Sequence, residues 1–157
     1  QIGILQSTFS GYTADAEAEV RRTVLMPVSD DAVWLAVVDE IVSATPHTWT
    51  NSWLFPGESE IEVVAGGYRV GLANDICVSF AWCGNTELVM RDDAMFWCPN
   101  YAEKSPARWV RLSGLCVSER RAFVFVPTKG NGVMPSVSLL ESMLQVVVDG
   151  QQWSVSI

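Results

Sequence analysis

Glu60-Ile61-Glu62-Val63-Val64-Ala65-Gly66-Gly67-Tyr68-Arg69-Val70-Gly71-Leu72, with Ile76-Cys77-Val78-Ser79-Phe80-Ala81-Trp82 close behind, is the stretch that decides the fold. Polar and apolar residues alternate from Glu60 to Val63, which is the pattern of a half-buried strand. Gly66-Gly67 reads as a two-residue hairpin turn. In the return strand Tyr68, Val70 and Leu72 face one way, and in the next Ile76, Val78, Phe80 and Trp82 do the same.

Working outward, the same period recurs. Strands are expected at Glu87 to Arg91 and Ala94 to Trp97, around Trp109 and Arg111, then at Leu115 and Val117, and from Ala122 to Val126. Lys129-Gly130-Asn131-Gly132 reads as a tight loop, and Pro99-Asn100 is a turn signal. Val146-Val147-Val148, Asp149-Gly150 and Trp153 to Ile157 form a closing hairpin. Upstream, Glu19 to Val28 is β-forming, with Pro27 marking a strand end or an edge. Residues 1–18 read as an N-terminal arm or an edge strand. Two helices are expected. Residues 29–43 space Val33, Trp34, Val37, Val38, Ile41 and Val42 by threes and fours behind a Ser29 cap, although their β-branched content favours strands. Ser136 to Leu144 is a shorter helix. Residues 45–57 mix small polar groups and aromatics without a period, as a loop does. The sum is a mainly β chain: a β-sandwich or barrel-like antiparallel domain with one or two short helices, a single domain over 1–157.

The chain has 157 residues and a formal charge of −8, from 10 basic and 18 acidic groups. A hydrophobic content of 49% excludes disorder, and a charged fraction of 18% excludes a coiled coil. No uncharged apolar run approaches the length of a membrane-spanning helix, so no such span is expected. The acidity argues against general nucleic-acid binding. The opening Gln1-Ile2-Gly3, without Met or a signal-peptide pattern, suggests a processed product, an excised fragment or a trimmed boundary.

Cys77, Cys83, Cys98 and Cys116 match no metal-binding spacing and are expected to be buried, reduced thiols, disulfides being the alternative. No metal site and no cofactor is expected: phosphate-loop and EF-hand patterns are absent. His47 is the single histidine. A hydrolytic site would have to combine it with a loop hydroxyl such as Ser52 and an acid such as Glu58. No nucleophile-elbow motif accompanies them, so His47 reads mainly as a loop residue.

Charge is uneven: residues 1–100 carry net −10 and residues 101–157 net +2. Lys104, Arg108, Arg111, Arg120, Arg121 and Lys129, with Trp109 among them, would form one basic stripe if their strands adjoin. That stripe suits an acidic neighbouring subunit or an anionic glycan. Trp49 and Trp53, two of seven tryptophans, sit in the 45–57 segment with His47. They are candidate contact residues, because Trp and Arg anchor interfaces.

The leading expectation is a non-enzymatic interaction module. Its most specific form is a surface or protruding domain of a viral capsid protein, displayed on the virion and cut from a larger polypeptide. Its partners would be other protein subunits in a homo- or hetero-oligomer, and a glycan or host receptor. Two alternatives stand beside it: a soluble glycan- or peptide-binding domain, and a small hydrolase built on His47.

Overall fold

A computed structural model describes residues 1–10, 18–28, 32–84, 89–98, 100 and 103–157. Its strands are β1 (Ile2–Ser10), β2 (Ala18–Pro27), β3 (Leu35–Pro56), β4 (Glu60–Val64), β5 (Gly67–Leu72), β6 (Ile76–Cys83), β7 (Val89–Trp97), β8 (Ser105–Lys129), β9 (Ser136–Leu140), β10 (Met143–Val148) and β11 (Gln151–Ser156). The large sheet runs β1-β2-β3-β8-β6-β5-β4, with β7 also paired to β8, and the small sheet runs β11-β10-β9. Their pairings are antiparallel. Mainly β, antiparallel and layered, the architecture agrees with the expected class. The sheets are open rather than closed into a barrel.

The two long strands organise it. β3 and β8 pair from Leu35↔Phe125 to Val42↔Ser118, and again from His47↔Cys116 to Pro56↔Ala107, with an irregularity between Val42 and His47. Residues 43–46 of β3 therefore oppose Val117 alone, a bulge that bends the pair. On one side of the bend β2 and β6 flank the pair; on the other, β7 joins β8. The far halves of β3 and β8, with β7, make a three-stranded ribbon that folds back over the near sheet. Trp53 of the ribbon lies with its ring centroid 4.7 Å from Phe125 and 5.2 Å from Phe123.

Both faces of the near sheet are thus covered. Ala36, Val38, Ala122, Val124 and Val126 face the small sheet and pack on Leu144, Val146 and Val155. Val37, Phe80, Phe123 and Phe125 face the ribbon and pack with Val110 and Leu112.

This double burial corrects the first expected helix. Among the described residues there is no helix, and 35–43 is the start of β3. A strand covered on both faces is apolar at nearly every position, so threes-and-fours spacing can be picked out of it without a helix. The helix over 136–144 is also corrected: it is the β9–β10 hairpin, in which Leu140 pairs with Met143 across a turn. Residues 45–57 are not a loop but mostly the far half of β3. The turn expected at Gly66-Gly67 lies one residue earlier, with Gly66 at φ 85°. Gly67 stands inside β5, where a Cβ would overlap the Phe80 carbonyl. Residues 1–18 resolve into the edge strand β1, with 11–17 outside the described residues.

Candidate functional site

The bend brings five polar side chains together beneath the ribbon. Arg22 of β2 donates from Nε and Nη2 to Asp39 Oδ1 and Oδ2 at 2.7 and 2.8 Å, a two-pronged pair. Asn51, from the far half of β3, donates to Asp39 Oδ2 at 2.5 Å. Arg121 donates from Nη1 to Asn51 Oδ1 at 3.3 Å and from Nη2 to Glu119 Oε2 at 2.7 Å. The side chains of Arg121 and Glu119 are 0% and 1% exposed. Arg22 also lies 5.7 Å over the Trp53 ring. Two cations meet two anions, and Asp39 already accepts three hydrogen bonds. Such a cluster fixes where the ribbon sits.

The outer face of the ribbon differs. Val110 and Leu112 point into the core, so Trp109, Arg111 and Ser113 occupy the opposite face of β8. Arg111 lies 5.9 Å over the Trp109 ring. Thr50 and Ser113 hydroxyls are 2.8 Å apart. By register, Ser52 is the cross-strand partner of Arg111, and Leu54 that of Trp109. Threonine, serine, an indole and a guanidinium thus share one open surface.

A cleft of about 660 Å³ opens between the two sheets, bordered by Glu40, Glu119, Arg120, Glu141, Cys83 and Ser138 among others. Arg120 is held by Glu40 Oε1 at 2.7 Å and by the Glu141 carbonyl at 2.5 Å. Arg21 takes Glu40 Oε2 at 3.1 Å. The charges of Glu40 and Glu119 in its lining are met by Arg21, Arg120 and Arg121. No group of metal-ligating side chains occurs among the described residues.

The sequence candidates scatter over these features. His47 Nε2 lies 3.0 Å from Thr45 Oγ1, and its ring meets Trp49 edge-on at 6.2 Å. Ser52, five positions along the same strand, is on the opposite face, about 16 Å away by strand rise. Glu58 follows the end of β3. The three are not brought together. Trp53 is packed among aromatics and Trp49 is half-buried. The basic group is divided. Arg121 is sealed inside and Arg120 is held by Glu40. Arg108 lies opposite Phe55, and Lys104 is exposed just before β8. Trp109 and Arg111 are in contact with each other. The Arg22–Asp39–Asn51 cluster escaped the sequence reading. Its one signal was Asp39 inside the apolar run Val37-Val38-Asp39-Glu40-Ile41-Val42.

All four cysteines are free, with Cys77 and Cys116 buried and Cys98 exposed. Exposed Cys98 and half-buried Cys83 depart from the expectation of four buried thiols. Burial pushes Cys116 up to about 11; Arg121 pulls the other way and Glu119 reinforces the rise. Burial likewise raises Cys83. At pH 8 only about one Cys116 in a thousand carries the reactive thiolate. With a thiol reagent on the native chain, Cys98 is expected to label first, Cys83 slowly, and Cys77 and Cys116 only after denaturant. Rapid labelling of Cys116 would show that the bend opens.

No known family matches the sequence, and no curated protein does. The fold does have likenesses among solved structures. A heparinase III gene product aligns at TM-score 0.80 and 15% identity, over 99% of this chain and 26% of that one. A crystal structure of heparinase III aligns at 0.73 and 15%, over 98% and 25%. The heparan sulfate lyase HepC from Pedobacter heparinus aligns at 0.73 and 11%, over 99% and 26%. The chain therefore spans about a quarter of the length of the solved structures it resembles, and shares with them a fold.

Proposed function

We propose that this chain is the β-sheet module of a glycan-processing protein and contacts an anionic polysaccharide through the outer face of the β3–β8–β7 ribbon. The observation that carries the reading is the likeness, across 99% of the chain, to a heparinase III gene product at TM-score 0.80. It favours the glycan-binding alternative over the capsid surface domain, a role that finds no support in these likenesses. Two features of the ribbon support the same reading. The Trp109 indole offers a face for a sugar ring with Arg111 beside it for sulfate or carboxylate. The hydroxyls of Thr50, Ser52 and Ser113 supply donors and acceptors in rows along the strands. The net charge of −8 opposes binding from a distance, but salt screens charges more than about 8 Å away at physiological strength.

The test is titration of heparan sulfate oligosaccharides into the chain. Each of Trp109→Ala and Arg111→Ala is expected to weaken binding about tenfold, equivalent to about 1.4 kcal/mol. Arg111→Lys is expected to recover little, because a point charge replaces a planar fork. Unaltered affinity in the Trp109→Ala/Arg111→Ala double variant, or no binding by the parent chain, would refute the reading.

A further inference from the structure

Farther along β8 lies a second cavity, of about 250 Å³, between the strand end and the closing hairpin. We infer that it binds a single uncharged pyranose ring. Trp34 lines it and is only 2% exposed, yet its indole Nε1 has no hydrogen-bond partner among the described residues. A buried donor left unpaired is unfavourable, and a ligand oxygen would supply the missing acceptor. Trp153 also lines the cavity, with its ring 5.8 Å from Trp34 at an interplanar angle of 60°. The two indoles therefore present different surfaces. Val33 and Val133 are 62% and 45% exposed and complete an apolar rim. This suits the C–H face of a sugar.

The polar remainder points to hydroxyls. Thr128 spends its proton on the Cys77 carbonyl at 3.3 Å, which leaves its oxygen as an acceptor. Asp149, an exposed turn residue, also borders the cavity and brings a carboxylate to its rim. Gln151 also lines the cavity, and its amide both donates and accepts; donors and acceptors set among apolar walls match a ring whose hydroxyls both give and receive hydrogen bonds. Asp149 repels sulfate and carboxylate, so the cavity selects against acidic sugars, the reverse of the ribbon face. The volume lies just below the usual range for small-molecule sites, about 300–1,000 Å³, and fits one ring rather than a chain. None of this depends on the ribbon.

The experiment titrates the full, nitrogen-15-labelled chain with N-acetylglucosamine and follows the indole N–H resonances. Millimolar sugar is expected to move Trp34 and Trp153, to slow hydrogen exchange at Trp34 Nε1, and to leave Trp109 in place. Glucuronic acid at the same concentration is expected to move neither. Asp149→Asn, which suits the φ of 49° at that position, should let glucuronic acid act. Val133→Trp, on the exposed rim, should abolish the N-acetylglucosamine shifts. A stationary Trp34 resonance at tens of millimolar sugar overturns the inference, as does an equal response to glucuronic acid in the parent chain or persistence of the shifts in Val133→Trp. Heparan sulfate titration reads the other surface, so either proposal can fail without the other.

Discussion

Replacing Glu119 by Ala is expected to cost about 3–5 kcal/mol and to lower the thermal midpoint by about 6–20 °C. Glu119 and Arg121 lie two positions apart on β8 and point to the same face, 2.7 Å from oxygen to nitrogen, with side chains 1% and 0% exposed. Their attraction does not make the fold more stable than an apolar pair would, because both charges had to leave water. Breaking the pair is another matter. A guanidinium keeps its charge in a protein, and the other side-chain acceptors of Arg121 are the neutral Asn51 Oδ1 at 3.3 Å and Cys116 Sγ at 3.8 Å. A buried cation would stay behind with its principal counter-charge gone. Domains of this kind keep only about 5–15 kcal/mol in all, so a fifth or more of the total is at stake. The double variant Glu119→Leu/Arg121→Met removes both charges and is expected to recover most of the loss. A fall of less than about 1 kcal/mol in Glu119→Ala would mean that water reaches Arg121 and that the ribbon is not seated as described.

That pair also marks where sequence reasoning stopped. The strand pattern around Phe80 was legible because β4, β5 and β6 keep a simple alternation and a tight turn. Asp149-Gly150 was legible for the same reason: the turn chemistry is local. β3 was not. Its first half is buried on both faces, which erases the period of two. Its second half alternates a mixed inner row, His47, Trp49, Asn51, Trp53 and Phe55, with a mostly polar outer row, Thr48, Thr50, Ser52 and Leu54. Neither row is uniformly apolar, so a strand looked like a loop. The bulge at 43–46 put Asn51 over Asp39, and no local pattern announces a contact made by folding a ribbon back on its own sheet. The basic stripe failed because neighbouring residues on a strand face opposite ways: Arg120 joins Glu40, while Arg121 turns inward to Glu119. Trp109 and Arg111 lie two apart and stay together.

Phe80→Ala should be of comparable size, and it tests how the ribbon is held. Phe80 is fully buried in β6. Its ring stacks on Phe125 at 4.6 Å, approaches Trp82 at 5.7 Å and Phe123 at 6.1 Å, and receives Trp53 edge-on at 6.2 Å. Truncation to Ala removes the centre of this cluster and leaves a cavity that the strands, fixed by their hydrogen bonds, only partly close; about 3–5 kcal/mol is the usual cost. Phe80→Leu keeps most of the volume and should cost clearly less. Ser52→Ala, on the exposed outer face, is expected to stay within about 0.5 kcal/mol. The informative measurement is the cycle of Phe80→Ala, Trp53→Ala and the double variant. Trp53 belongs to the ribbon and Phe80 to the near sheet, so their coupling reports the seating of one on the other. A coupling of about 0.5–1.5 kcal/mol is expected for an aromatic pair in contact. The same seating holds Trp109 and Arg111 above it, so under the proposed reading Phe80→Ala should weaken heparan sulfate binding in the folded fraction, although Phe80 lies on the far side of the ribbon from the proposed contact face. Additive losses, with binding intact, would show that the outer surface forms without the aromatic cluster beneath it. The Asn51–Asp39 contact would then be left as the device that fixes the ribbon in place.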